Sequence, residues 1–241
     1  EKRGLRYFDI TAISRRALLD RTLIASDGLH PSGKMYKLWV DKMIPIISKV
    51  NFDFENWNKR NDKMVLVASN KVSPTRLSNY KVRRKIAKQM SPQEIDVYGG
   101  LWNSSLRNRV FHRLAVGLYS IRIGYFPNLI ALYGSLFSKY GNYIGEPENK
   151  HIIIQKYKYS LVIENSSDYC SEKLFDAILN GSIPIYIGPK NNQISLPENL
   201  YYSCNGSVVE IRKILNSQQE KNVNDMLDSM KNFLQSKNFK E

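Results

Sequence analysis

Ten consecutive residues, Glu164-Asn-Ser-Ser-Asp-Tyr-Cys-Ser-Glu-Lys173, carry the densest chemistry of the chain. They lie between two apolar runs, Tyr159–Ile163 and Ile183–Ile187, and a helix-patterned segment from Ser171 to Leu179 follows them. The pattern is strand, helix, strand over about thirty residues, a βαβ unit. It puts Glu164 and Asn165 at the carboxyl end of a strand, and Ser171, Glu172 and Lys173 at the start of the helix. Ligands of open α/β sheets bind along that edge. Ser171 is the expected N-cap and Gly181 the expected C′ residue. Free N–H groups at a helix start favour an anion, whereas a lysine in the first turn opposes the helix dipole. Lys173 in that position makes most sense facing a phosphate.

The elements that must support this unit begin upstream. Met64–Ala68 is a continuous apolar run, suited to a strand buried on both faces. A basic helix follows from about Asn79 to Gln89, then a strand at Ile95–Tyr98 stopped by Gly99-Gly100, so a parallel α/β sheet is expected. Between residues 104 and 143, Arg107, Arg109, His112, Arg113 and Arg122 are interleaved with apolar and aromatic residues. Leu114–Phe137 is long enough to cross a bilayer, but Arg122, Pro127 and Asn128 interrupt it, which argues against a transmembrane span. An amphipathic helical hairpin on a membrane or domain surface is one reading, and a core-packed insertion is the other. Near the start, Met35–Ile47 reads as a helix with Pro45 disturbing its last turn. The Asn-rich segment 51–62 reads as a linker, and Val208–Phe239 as one or two amphipathic helices.

With 241 residues, 42% of them hydrophobic and 24% charged, the chain has material for one or two domains. That excludes a disulfide mini-protein and a disordered tail. A formal charge of +14 calls for an anionic partner. The charge is concentrated: residues 61–150 hold 14 basic and 5 acidic residues, while residues 151–241 hold 10 of each. Two cysteines, Cys170 and Cys204, form no disulfide framework or metal-ligand spacing, so a reducing, cytoplasmic setting is expected. No nucleic-acid-binding motif accompanies the basic residues, and nucleic acid is not an expected partner.

The ordered segments Tyr157-Lys-Tyr-Ser-Leu-Val-Ile-Glu-Asn-Ser166, Asp168-Tyr-Cys-Ser-Glu-Lys-Leu-Phe-Asp-Ala177 and Gly181-Ser-Ile-Pro-Ile-Tyr-Ile-Gly188 resemble the signature of the family 10 glycosyltransferases, the α-1,3/1,4-fucosyltransferases. Val67-Ala-Ser-Asn70, Asp96-Val-Tyr-Gly99 with Trp102, and Leu196-Pro-Glu-Asn199 extend the resemblance over roughly residues 58–239. It implies a Rossmann-like parallel sheet, the C-terminal donor-binding half of a GT-B enzyme, at residues 63–215, with the insertion at 104–143 and a C-terminal helix at 216–241. It also implies transfer of fucose from GDP-fucose to a glycan acceptor with inversion and without a metal. By resemblance, Lys173 and an Arg of the basic helix neutralise the pyrophosphate, the Arg being Arg83 by its spacing to the apolar Ile86, with Arg76 and Arg84 as the alternatives, while Glu172 holds the ribose hydroxyls, and Asn165 and Tyr169 lie beside the sugar and diphosphate. Ser171 stands where the family usually has Thr, which keeps the capping hydroxyl, and Glu164 closes the preceding strand.

An inverting transfer also needs a base for the acceptor hydroxyl. The family takes it from a Glu-Ser-Pro-like segment of the acceptor domain, which this sequence lacks, and Glu55 is a weak substitute. Residues 1–50 instead resemble the C-terminal end of an SGNH (GDSL-type) hydrolase. There Asp27 and His30, three residues apart, match the pair in which an Asp orients an imidazole base for a catalytic serine. The serine segment itself is missing. The chain therefore reads as an excerpt of an esterase–glycosyltransferase fusion, or as a rearranged donor-domain fragment, with peripheral attachment to an anionic membrane as a further expectation.

Overall fold

Three apolar runs end up closed off from solvent on both faces: Met64–Leu66, Ser160–Ile163 and Ile183–Ile187. They form the centre of one parallel sheet in the computed structural model, which describes residues 11–24, 31–47, 56–73, 78–122, 124, 137–168, 170–189, 196–217 and 220–236. Its strands are β1 (Asn61–Val67), β2 (Ile95–Tyr98), β3 (Tyr143–Gly145), β4 (Tyr157–Ile163), β5 (Ile183–Ile187) and β6 (Tyr202–Ser203). The spatial order is β3-β2-β1-β4-β5-β6, with every neighbouring pair parallel. The chain thus builds outward from β1 to β3, then crosses back and builds outward on the other side from β4. Such a sheet reverses its order between β1 and β4, and the crevice at their carboxyl ends is where doubly wound folds bind ligands.

The helices are α1 (Thr11–Ser14), α2 (Gly33–Ile47), α3 (Tyr80–Gln89), α4 (Leu106–Arg122), α5 (Lys150–Ile154), α6 (Glu172–Leu179), α7 (Val208–Asn216) and α8 (Glu220–Ser236). Helix α6 has both expected ends. Ser171 is extended at φ −105° and ψ −176° and its side chain accepts from the Lys173 N–H. At the other end Gly181 sits at φ +65°, its N–H donating to the Ile178 carbonyl at 3.0 Å while Ser182 N–H donates to Ala177 at 3.0 Å. These two bonds define a Schellman motif. The tail is two helices, and helix α2 continues through Pro45 to Ile47.

Of the segment 51–62, only residues 56–62 are described, and they are tied into the sheet domain. Trp57 is 6% exposed and belongs to the main core, edge-on to Tyr159 at 6.1 Å. Arg60 donates to the Asn180 carbonyl at 2.8 Å, and β1 already starts at Asn61. One buried aromatic anchors a stretch whose polar composition concealed it. A smaller cluster of Ala17, Leu23 and Met35 forms separately near the start of the chain.

Gly99 fixes the exit from β2. It has φ +127°, and a Cβ there would fall on the Ala68 carbonyl oxygen and 2.7 Å from its carbon. That oxygen accepts from Trp102 Nε1 at 2.6 Å, and Trp102 is fully buried. Backbone cannot move aside as a side chain could, so Gly99→Ala is expected to cost about 3 kcal/mol through strain and displacement of Trp102. A urea denaturation midpoint unchanged from wild type would contradict this.

Helix α4 is inverted in polarity. Its buried residues are Arg109, Arg113 and Ser120, whereas Phe111, Leu114, Leu118 and Ile121 are 60%, 45%, 69% and 57% exposed. Within the insertion, α4 packs by turning its polar face inward. No helix among the described residues is long and apolar enough to cross a membrane.

Candidate functional site

Between the carboxyl ends of β1 and β4 lies a cavity of about 270 Å³. Its walls include Ser69 and Lys71 beyond β1, Tyr80 and Arg83 of α3, Asn165 beyond β4, and Lys150, Glu172, Lys173 and Asp176. It therefore occupies the order reversal of the sheet. The volume falls just below the roughly 300–1,000 Å³ of small-molecule sites, so a nucleotide would fill it and extend over the open edge.

Glu164 is the buried pivot of this edge. Its side chain is wholly inaccessible, and it accepts from the Ser171 N–H at 2.9 Å, Ser171 Oγ at 2.5 Å and Lys173 Nζ at 3.0 Å. Lys173 Nζ also donates to Ser171 Oγ at 2.8 Å. The sequence left Lys173 in need of an anion at the helix start, and the structure supplies one from the preceding strand end. With its side chain 23% accessible, Lys173 still lines the cavity, so the pair presents a held ammonium rather than a loose one. Tyr186 reaches Glu164 Oε1 at 3.5 Å, and burial followed by the Glu164 charge pushes its phenol far upward. The same two causes, in the same order, lift the Cys170 thiol to about 12, so it is no nucleophile at neutral pH.

Arg83 stands on the opposite wall, 2% exposed. Its guanidinium donates to the Ser69 carbonyl at 2.8 Å, the Ile163 carbonyl at 3.1 Å and Asn165 Oδ1 at 3.1 Å, and stacks 4.9 Å from the Tyr80 ring centroid. Asn165 also anchors the start of α3, its carbonyl accepting from Asn79 N–H at 3.0 Å. Arg83 and Lys173 thus flank the two adjacent residues Glu164 and Asn165. Arg84 turns away to the Lys71 carbonyl at 2.8 Å, which separates it from the cavity and from the role held open for it. Glu172 is about half exposed and pairs loosely with Lys150 at 3.9 Å.

Lys71, Tyr80, Lys150 and Asp176 are cavity residues that escaped the sequence. Lys150 of α5 reaches Asp176 of α6 at 2.5 Å, joining the helices on either side of β4. The only local sign was Asn149, which caps α5 by accepting from the His151 N–H at 2.9 Å. Tyr169, Arg76, Glu55, Asp27 and His30 lie outside the described residues.

Comparison with known proteins bears on these same elements. Residues 124–232 match the model of glycosyltransferase family 10 (fucosyltransferase) C-term. The match runs through β3–β6, includes Glu164 to Lys173, and stops short of β1, β2 and Arg83. An alpha-(1,4)-fucosyltransferase of Arabidopsis thaliana is 42% identical over 52 residues, 21% of this chain and 13% of that protein. A crystal structure of alpha1,3-fucosyltransferase with GDP-fucose aligns at 18% identity and TM-score 0.43, over 93% of this chain and 56% of that one. A second, with GDP, aligns at 19% identity and TM-score 0.43, over 71% and 39%. The chain spans well under two thirds of each. The family match does not extend to residues 1–50.

Proposed function

We propose that this chain provides the donor-nucleotide domain of a fucosyltransferase, which moves fucose from GDP-fucose to a hydroxyl of a glycan acceptor with inversion. The observation that carries this is the pair of cations, Arg83 and Lys173, on facing walls of a cavity at the sheet's order reversal. The matched segment 124–232 supports the same reading. In the transfer, the bond from the anomeric carbon to the diphosphate oxygen breaks as the acceptor oxygen bonds to the opposite face. The departing GDP gains negative charge, which a guanidinium and an ammonium fixed in advance would stabilise without a metal. The acceptor proton must pass to a carboxylate elsewhere, Glu55 or one supplied by a further domain. Isothermal titration of the full chain with GDP and GDP-fucose tests the reading, with UDP as the control. Micromolar binding of both guanine ligands is expected, and absence of binding overturns it.

A second reading concerns location. The outward face of α4, Phe111, Leu114, Leu118 and Ile121 with Arg107 and Arg122 at its ends, fits peripheral attachment to an anionic membrane on its cytoplasmic side. Flotation with phosphatidylglycerol vesicles at low salt is expected to carry the chain upward, and Leu118→Glu to reduce it. Equal flotation of both proteins, or none, would remove this reading.

A further inference from the structure

Beside the cavity, where the chain leaving β1 passes between α3 and α4, four cations, Lys71, Arg84, Arg109 and Arg113, gather with the imidazole of His112. Arg84 is 9% exposed, Arg109 7%, and Arg113 not at all. Arg84 donates to the Lys71 carbonyl at 2.8 Å and Arg109 to the Ser138 carbonyl at 2.9 Å. These satisfy N–H groups and supply no countercharge. Among the described residues, none of Lys71, Arg84, Arg109 and His112 has a carboxylate within 4.0 Å. After burial, the strongest influences on His112 are Arg113 and Lys71, both of which oppose its protonation.

The sequence explains the imbalance. From Lys63 to Gly145 there are 13 basic residues and two acidic ones, Glu94 and Asp96. Glu94 is held by Arg212 of α7 at 2.6 and 3.1 Å, and Asp96 by Lys63 at 3.2 Å and Tyr157 at 2.7 Å. Neither is available to the cluster. Two further nitrogens are buried there without a hydrogen-bond partner, Arg109 Nε and His112 Nε2. Buried charge that lacks both countercharge and complete hydrogen bonding is costly, and a bound anion removes both deficits. Access is present, because Lys71 is exposed and His112 only half-buried.

We propose that Lys71, Arg84, Arg109 and His112 form a second oxyanion site, beside the cavity flanked by Arg83 and Lys173 and sharing Lys71 with its wall, that takes a tetrahedral phosphate-type group. Guanidinium forks suit such oxygens. The group arrives either as a free ion or on a saccharide.

Thermal melts of the full chain in GDP test this, comparing inorganic phosphate and glucose 6-phosphate with chloride at matched ionic strength. At a hundredfold excess over its dissociation constant, one or both phosphates should raise Tm by about 5 °C or more. A response to both assigns a free ion, and a response to the sugar phosphate alone assigns a saccharide-borne group. Arg109→Met and Arg84→Met should lose the response, while Arg83→Gln keeps it. No response in wild type overturns the site. So does a response that survives in Arg109→Met and Arg84→Met but vanishes in Arg83→Gln, since that places the ion in the donor cavity. Should the Met variants fold poorly, wild type alone decides by NMR. With three histidines in the chain, the His112 imidazole resonance, identified in His112→Gln, should move on adding phosphate, and a stationary one refutes the site.

Discussion

Lys173→Met should lower the stability of the chain by about 3 kcal/mol and abolish GDP binding, and adding Glu164→Gln should restore most of the first loss and none of the second. Glu164 is wholly buried, and with Lys173 gone its carboxylate keeps the Ser171 N–H and Oγ as its close partners, with the Tyr186 hydroxyl farther off at 3.5 Å. Breaking a buried ion pair on one side leaves an uncompensated charge, at a cost of about 3–5 kcal/mol. The low end applies because Lys173 is partly accessible and two hydrogen bonds to Glu164 survive. In a chain of this size the single variant should melt roughly 6–12 °C lower. The amide that Glu164→Gln introduces has no charge to leave stranded, so the double variant recovers stability. It does not recover an ammonium at the cavity wall. Melting curves and GDP titrations of the four proteins form a double-mutant cycle. If GDP affinity returns with Glu164→Gln, Lys173 is only the structural partner of Glu164 and the donor site must be redrawn.

That ambiguity explains what the sequence could and could not convey about the site. The βαβ unit was legible because its signals are local: buried apolar runs at β4 and β5, Ser171 at the cap, and Gly181 in the left-handed conformation that closes α6. Arg83 was legible through the family resemblance, its register with Ile86 on α3 choosing it among the nearby arginines. The Glu164–Lys173 pair was not, because nine residues including a loop separate them, and only the turn geometry decides whether they meet. Lys150 and Asp176 stayed hidden for the same reason on a larger scale, as did Trp57 within a polar stretch. Strands β3 and β6, three and two residues long, are too short to show any period and exist only as edges paired to longer neighbours. The inward arginines of α4 contradict its apolar pattern, since amphipathic reasoning assigns the leucines to the core. Propensity reasoning fails there because the buried face holds charge.

Arg83→Lys should weaken GDP binding by roughly 10–100-fold, equivalent to about 1.4–2.8 kcal/mol, while Lys85→Met two positions on leaves it unchanged. Both positions lie on α3, but Arg83 is buried on the cavity wall and Lys85 is exposed. A lysine at position 83 keeps the positive charge and loses the planar fork. In the structure that fork reaches three acceptors at once, the carbonyls of Ser69 and Ile163 and the side chain of Asn165. It thereby ties the ends of β1 and β4 together across the point where the sheet reverses. An ammonium cannot satisfy all three in the same geometry, so a modest fall in Tm is expected together with the loss of affinity. The two effects separate by their salt dependence. Loss of an ionic contact to a diphosphate flattens the fall of affinity with added KCl, whereas distortion of the β1–β4 crevice shifts affinity by the same factor at every salt concentration. Because Arg83→Lys retains the charge, its slope should equal that of wild type with the whole curve displaced. Arg83→Met removes the charge and should give the shallower slope. If Arg83→Met and wild type have the same slope, Arg83 braces the crevice without facing the diphosphate, and Lys173 would be the one cation there.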